Sequence, residues 1–196
     1  KNMTTFSLEP RAAVLAALPA GRRVVVLGCG GAGRAVAIAC ARAGAARLRL
    51  ANRTPDRAAA LAERLRNIPG ACPADALPSS DTAWRDACRG SDIVIHASSV
   101  GLHTGEPALL GPEAFRPDQL VYDLIYTARE TPILAAARAG GARTANGLGM
   151  LVHQGAQSFR IWTGLDEPAD IMRRALEPAV YKKDEGGRMK EMSVSS

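Results

Sequence analysis

An α/β fold with a doubly wound parallel sheet is what the sequence predicts, on three observations. Short apolar runs, Val24 to Leu27, Ile93 to Ala97 and Gln119 to Leu124, alternate with Ala-rich helical stretches at spacings that suit right-handed crossovers. Between the first run and the first helical stretch lies Gly28-Cys29-Gly30-Gly31-Ala32-Gly33, with glycines at the first, third and sixth places. Finally, the 196 residues are 47% hydrophobic but only 4% aromatic, so the apolar mass is Ala, Leu and Val, which suits one helix-covered core.

Taken in order, Pro10 to Leu18 reads as a short helix stopped at Pro19-Ala20-Gly21, and Arg22 to Leu27 as a buried parallel strand. A helix from Gly31 to Ala43 follows the glycine loop, then a strand at Arg47 to Ala51 and a turn at Asn52-Arg53-Thr54-Pro55. Thr54 is placed to cap a helix over Asp56 to Arg66, with Pro55 at its first position. Pro69 to Pro78 is a mixed connection with room for a short edge strand, and Asp81 to Cys88 a helix. Strands at Ile93 to Ala97 and Gln119 to Leu124 precede a helix over Pro132 to Ala139, ended by Gly140-Gly141. A last short strand covers Arg143 to Ala145. Met150 to Thr163 is an amphipathic helix, with a further helix from Ala169 to Glu177. The organisation is therefore a lead-in over 1–20, one nucleotide-binding domain over 21–180 and a polar, flexible tail over 181–196.

The formal charge of +6 does not point to nucleic acid, because the arginines are spread along helices and few aromatics are interleaved with them. A positive field for an anionic cofactor accounts for part of the excess. Cys29, Cys40, Cys72 and Cys88 show no C-x-x-C spacing and read as buried free thiols of a reducing, cytoplasmic setting. No apolar run reaches the roughly 20 residues of a membrane span, and no charged-then-apolar leader opens the chain. The Lys1-Asn2 start without Met suggests a fragment or a processed chain. His96, His103 and His153 lack ligand-like spacing with cysteines or acids, so no metal site is expected.

Glycines at the spacing of Gly28, Gly30 and Gly33, flanked by Gly31 and Ala32, let a chain leave a strand and start a helix whose free N–H groups face a bound diphosphate. Strand before and helix after make this the fingerprint of a Rossmann-like NAD(P)-binding domain. The end of the second strand selects the cofactor. A carboxylate there accepts from a ribose 2′-hydroxyl, whereas an arginine pairs with a 2′-phosphate. This chain has Asn52-Arg53-Thr54 and no acid before Asp56, and the guanidinium of Arg53, assisted by Arg57 one helical turn on, favours NADP.

Gly28 to Gly33 followed by Asn52-Arg53-Thr54 resembles the cofactor half of the shikimate dehydrogenases, and three later segments agree in order and spacing. Asp92 to Gly101 is similar to that family's strand and loop beside the nicotinamide. Val121 to Tyr126 with Thr131-Pro132-Ile133-Leu134 resembles its next strand, turn and helix. Gly147 to Gln154 with Phe159 and Trp162-Thr163-Gly164 resembles its closing helix. The likeness spans roughly Leu18 to Glu177. It implies an NADP-linked oxidoreductase acting on 3-dehydroshikimate and shikimate or a quinate-like substrate. It further implies that Ser98, Ser99, Val100, Gly101 and Leu124 line the cofactor and that Gly147 and Met150 flank the nicotinamide. Tyr126 and Gln154 would then meet the substrate, all of them beyond the carboxyl ends of strands, where ligands of open parallel sheets bind.

The chain also departs from the family. Reducing a ketone needs a proton donor beside the developing alkoxide. In the family that work falls to a Lys and Asp pair involving a separate N-terminal substrate domain. The Ser-rich motif and the lysine of that domain have no counterpart in these residues, and the family's Asn-Thr-Asp segment aligns with Asn2-Met3-Thr4, which puts Thr4 in the place of the acid. His96 stands where the family has Asn, and Ala128 where it has Pro. Catalytic residues are therefore not assigned. The expectation is an enzyme of aromatic amino acid biosynthesis that works on a cyclic hydroxy or keto acid once a substrate domain is supplied in cis or in trans, with a homo-oligomer compatible. Its alternative is a non-catalytic NADP-binding or regulatory module. A reductase of glutamyl-tRNA reductase type would share the Asn-Arg-Thr turn but not the Gln154 helix.

Overall fold

The structure is a computed structural model that describes residues 19–103, 105–166 and 168–181. The expected helix at Pro10 to Leu18, Thr4 and residues 182–196 of the expected tail lie outside the described residues. Six strands form one parallel sheet: β1 (Arg23–Leu27), β2 (Arg47–Ala51), β3 (Ala74–Ala76), β4 (Ile93–His96), β5 (Leu120–Asp123) and β6 (Arg143–Ala145). Their order across the sheet is β3-β2-β1-β4-β5-β6, so the chain winds outward first one way and then the other from β1. The helices are α1 (Gly31–Arg42), α2 (Pro55–Arg66), α3 (Asp81–Arg89), α4 (Pro132–Ala139), α5 (Leu148–Thr163) and α6 (Ala169–Tyr181), with a short 3-10 turn at Pro112–Ala114.

The apolar run of β1 buries both faces because successive side chains point oppositely. Val24 and Val26 pack into a core with Ala37, Cys40, Leu61 and Leu65 of α1 and α2, whereas Val25 and Leu27 pack into a second core with Trp84, Cys88, Ile133 and Leu134 of α3 and α4. Each fully buried aliphatic side chain here contributes about 1.5 to 3 kcal/mol. The four cysteines are free and buried, and burial pushes the Cys29 and Cys40 thiols up to about 11 and that of Cys88 to about 12. They act as small apolar residues rather than nucleophiles.

Element ends differ from the sequence reading in informative ways. Helix α5 starts at Leu148 rather than Met150 because the Asn146 Oδ1 accepts the Leu148 N–H at 3.3 Å, which begins the helix inside a glycine-rich stretch. Helix α6 runs through Pro178 to Tyr181 instead of ending at Glu177. Tyr181, expected to open the tail, is buried: its hydroxyl lies 2.7 Å from the Asn146 Nδ2 and the Arg129 guanidinium sits 4.4 Å from its ring centroid. Those contacts fasten the helix end to the loops after β5 and β6. No helix among the described residues is long and apolar enough to cross a membrane.

At the amino edge of the sheet, Asp92 accepts from the Arg23 backbone N–H at 2.9 Å and from its guanidinium at 2.8 and 3.2 Å, with Arg116 a further 3.2 Å away. The Arg23 hydrogen bonds hold the Asp92 carboxyl down at about 2. Because this value lies below that of the unfolded chain, the stabilisation is complete above the ordinary carboxylate range and is lost as pH falls through about 2. Asp92→Asn should therefore lower stability by about 1 kcal/mol at neutral pH, a modest figure because the pair is part-exposed. Denaturant unfolding at pH 7 and at or below about pH 2 checks this: the gap between variant and parent should close on the acid side.

Candidate functional site

The strand order reverses between β1 and β4, and the crevice beyond their carboxyl ends is where this architecture binds ligands. Gly28 leaves β1 with φ +108, a region that disfavours side chains, and a Cβ there would lie 2.6 Å from the Ala97 carbonyl oxygen. A Cβ at Gly33 would collide with the Gly28 carbonyl oxygen, so α1 approaches β1 more closely than any other residue type permits. Gly30 and Gly31 are different: the space where their Cβ atoms would stand is open to 4 Å. The first and sixth places of the fingerprint thus serve packing, and the middle of the loop borders free room. That room faces the α1 N-terminus, which has no acidic residue in its first turn and N–H groups without carbonyl partners inside the helix. An anionic diphosphate fits such a cradle.

Asn52 ties this loop to the next turn. Its Oδ1 accepts the Cys29 N–H at 3.0 Å, and its Nδ2 donates to the Thr54 carbonyl at 2.9 Å. Its amide is therefore committed to bracing Arg53 beside the glycine loop, a role the sequence reading had not separated from ligand contact. Arg53 is exposed, and its carbonyl accepts the Ser79 hydroxyl at 3.4 Å. Thr54 is the N-cap of α2 with Pro55 in the first turn, as expected, but its side chain makes no capping bond. The α2 N-terminus, Arg53, Thr54 and Arg57 thus lie together at the end of β2, with Asp56 the acid in the first turn.

Beyond β4, Ser98 adjoins the glycine loop, since a Cβ on Gly28 would stand 2.8 Å from the Ser98 nitrogen. The loop through Ser99, Val100 and Gly101 is folded by Glu106, whose carboxylate accepts the Gly101 N–H at 2.7 Å and the His103 N–H at 3.2 Å, contacts that keep its carboxyl below the usual range. Gly147 abuts the Leu124 carbonyl so closely that a Cβ would overlap it, which fixes the start of α5 against the end of β5. The Leu124 side chain itself belongs to the core, and Met150 packs against the same core while half-buried. Tyr126 is 36% exposed at the rim, and Gln154 is exposed on α5. Among the described residues no cluster of His, Cys, Asp and Glu could hold a metal ion.

The sequence reading assigned no role to a buried chain of polar groups beneath Ser98. His96 and Asp123 are register partners on β4 and β5 and both are fully buried. His96 Nδ1 lies 2.9 Å from Asp123 Oδ1, and His96 Nε2 lies 2.6 Å from the Ser98 Oγ. Thr131, also buried, donates its hydroxyl to Asp123 Oδ2.

Sequence comparison agrees with this geometry. The family described as "Shikimate 5'-dehydrogenase C-terminal domain" matches residues 147–177, and "Saccharopine dehydrogenase NADP binding domain" matches residues 24–104. The shikimate dehydrogenase (NADP(+)) of Moorella thermoacetica is 44% identical over 169 residues, 83% of this chain and 55% of that protein. The chain belongs to the shikimate dehydrogenase family. Among solved family structures, the Listeria monocytogenes shikimate 5-dehydrogenase in complex with shikimate and NAD superposes with a TM-score of 0.73 at 30% identity, over 81% of this chain and 56% of that one. The Thermus thermophilus enzyme in complex with NADP(H) and shikimate gives 0.71 at 36% identity, over 85% of this chain and 60% of that one. The chain spans a little over half the length of these shikimate dehydrogenases.

Proposed function

We propose that this chain is the NADP-binding half of a shikimate dehydrogenase-type oxidoreductase. The observation that carries the reading is Arg53 braced by Asn52 next to the open glycine loop, at a strand end that bears no carboxylate. The α1 N-terminus and residues 28–33 would hold the diphosphate. Arg53, with Thr54 and Arg57 at the α2 N-terminus, would hold the 2′-phosphate. Ser98 to Gly101, Gly147 and Met150 would surround the nicotinamide end. When bound, the cofactor supplies hydride for the interconversion of a ketone and an alcohol. Tyr126 and Gln154, at the rim beyond β5 and on α5, would orient a shikimate- or quinate-like cyclic acid.

Completing such a site requires a substrate domain, and one surface supports that requirement. Ile161, Trp162 and Leu165 at the end of α5 and Ile171 near the start of α6 are 66, 81, 62 and 65% exposed. Exposed apolar patches mark surfaces for contact with another segment or partner. The partner proposed for this one is the substrate domain, in cis or in trans. A module that only senses NADP is less favoured, since the relatives are dehydrogenases by name.

Arg53→Ala tests the cofactor assignment. It removes a charged pair to the 2′-phosphate and should weaken NADP by about 1.5 to 3 kcal/mol, roughly 10- to 150-fold, while NAD changes little. Calorimetric titration of both cofactors into parent and variant reads this, and equal losses for the two would refute the role of Arg53.

A further inference from the structure

No role above falls to the buried polar chain beneath Ser98; with Asp123 as a carboxylate and His96 as a neutral imidazole, its hydrogen-bond directions follow. Asp123 Oδ1 accepts the Ile125 N–H at 3.0 Å, and its Oδ2 accepts the Thr131 hydroxyl. A carboxylate surrounded by donors only accepts, so the His96 ring proton resides on Nδ1, 2.9 Å from Oδ1. In the neutral imidazole Nε2 is then an acceptor, and Ser98, whose Oγ is 2.6 Å from it, donates its hydroxyl proton inward. One Ser98 lone pair takes the Val100 N–H at 3.3 Å. What Ser98 can still offer is a lone pair and no proton.

We propose that Asp123 and His96 make Ser98 a hydrogen-bond acceptor only, and that Ser98 thereby reads a donor on the cofactor, the amide NH2 of the nicotinamide. The inference rests on the NADP reading above. A serine without such a partner rotates to suit donor or acceptor alike. With its proton committed to His96, Ser98 favours an NH2 group and leaves a carbonyl oxygen facing a lone pair. Ser98 is the contacting residue and His96 a positioning residue that acts through it.

The test compares NADP+ with its 3-acetylpyridine analogue, in which an acetyl group replaces the amide and no N–H remains. Both are titrated calorimetrically into the parent chain, Ser98→Ala, Ser98→Thr and His96→Asn. The parent should prefer NADP+ by about tenfold, the worth of one net hydrogen bond. Ser98→Ala and His96→Asn should bring the ratio close to one, and Ser98→Thr should restore the parent value. A ratio unchanged in Ser98→Ala, or no preference in the parent, overturns the proposal while the cofactor reading stands. Absence of NADP+ binding by the parent would remove both. Should His96→Asn fail to fold, the two Ser98 variants decide the matter alone.

Discussion

Gly33→Ala is expected to be among the most damaging single-methyl additions in this chain. The added Cβ would overlap the Gly28 carbonyl oxygen, which is backbone and cannot rotate aside, so α1 must move off β1. Overpacking of this kind costs about 1 to 3 kcal/mol or more, or roughly 3 to 12 °C in melting temperature for a domain this size. The same shift tilts the α1 N–H groups away from the diphosphate and weakens the cofactor further. Gly30→Ala is the informative contrast, because its Cβ enters open space. That variant should melt with the parent yet bind NADPH more weakly, as the methyl would occupy the room assigned to the diphosphate. Thermal unfolding and NADPH fluorescence titration of both variants separate the packing role from the binding role. Equal melting of Gly33→Ala and parent would contradict the close approach described here.

Asp123→Ala should destabilise the fold by about 3 kcal/mol or more. Its carboxylate is the common acceptor for the Ile125 N–H, the Thr131 hydroxyl and His96 Nδ1, all in a fully buried position. Truncation strands several buried donors at once, and each lost partner costs about 1 to 3 kcal/mol. Asp123→Asn keeps an oxygen for His96 and the Ile125 N–H and presents its NH2 to Thr131, whose hydroxyl can turn to accept, so its loss should be under half as large. Denaturant-unfolding midpoints of the three proteins measure this order. An Asp123→Ala chain as stable as its parent would show that the buried chain is not held as described.

Much of the architecture was legible because it rests on local backbone requirements. The glycines of the first loop, Pro55 at a helix start and the β-branched runs each constrain the chain within a few residues of themselves. Strands β2 and β6 and helix α4 coincide with the sequence reading for that reason. The three-residue edge strand β3 was visible only as room for a strand, since Ala74-Asp75-Ala76 has little β propensity and is ordered by pairing to β2. The extension of α6 through Pro178 depends on Asn146 and Arg129 meeting Tyr181, contacts from residues more than thirty positions away. The His96–Asp123 chain was hidden for a similar reason. A histidine inside an apolar strand and an aspartate 27 residues later become neighbours only once the parallel register of β4 and β5 is fixed. Asn52 was singled out by its position, but only the structure shows that its amide braces the turn.

The central claim is that the room beside Gly30, together with Arg53, binds NADP in preference to NAD. Calorimetric titration of NADP+ and NAD+ into the unaltered chain at moderate salt tests it most directly. Saturable binding of NADP+ at least about tenfold tighter than that of NAD+ is expected, corresponding to roughly 1.4 kcal/mol or more from the 2′-phosphate. Equal affinities, or tighter binding of NAD+, would contradict it.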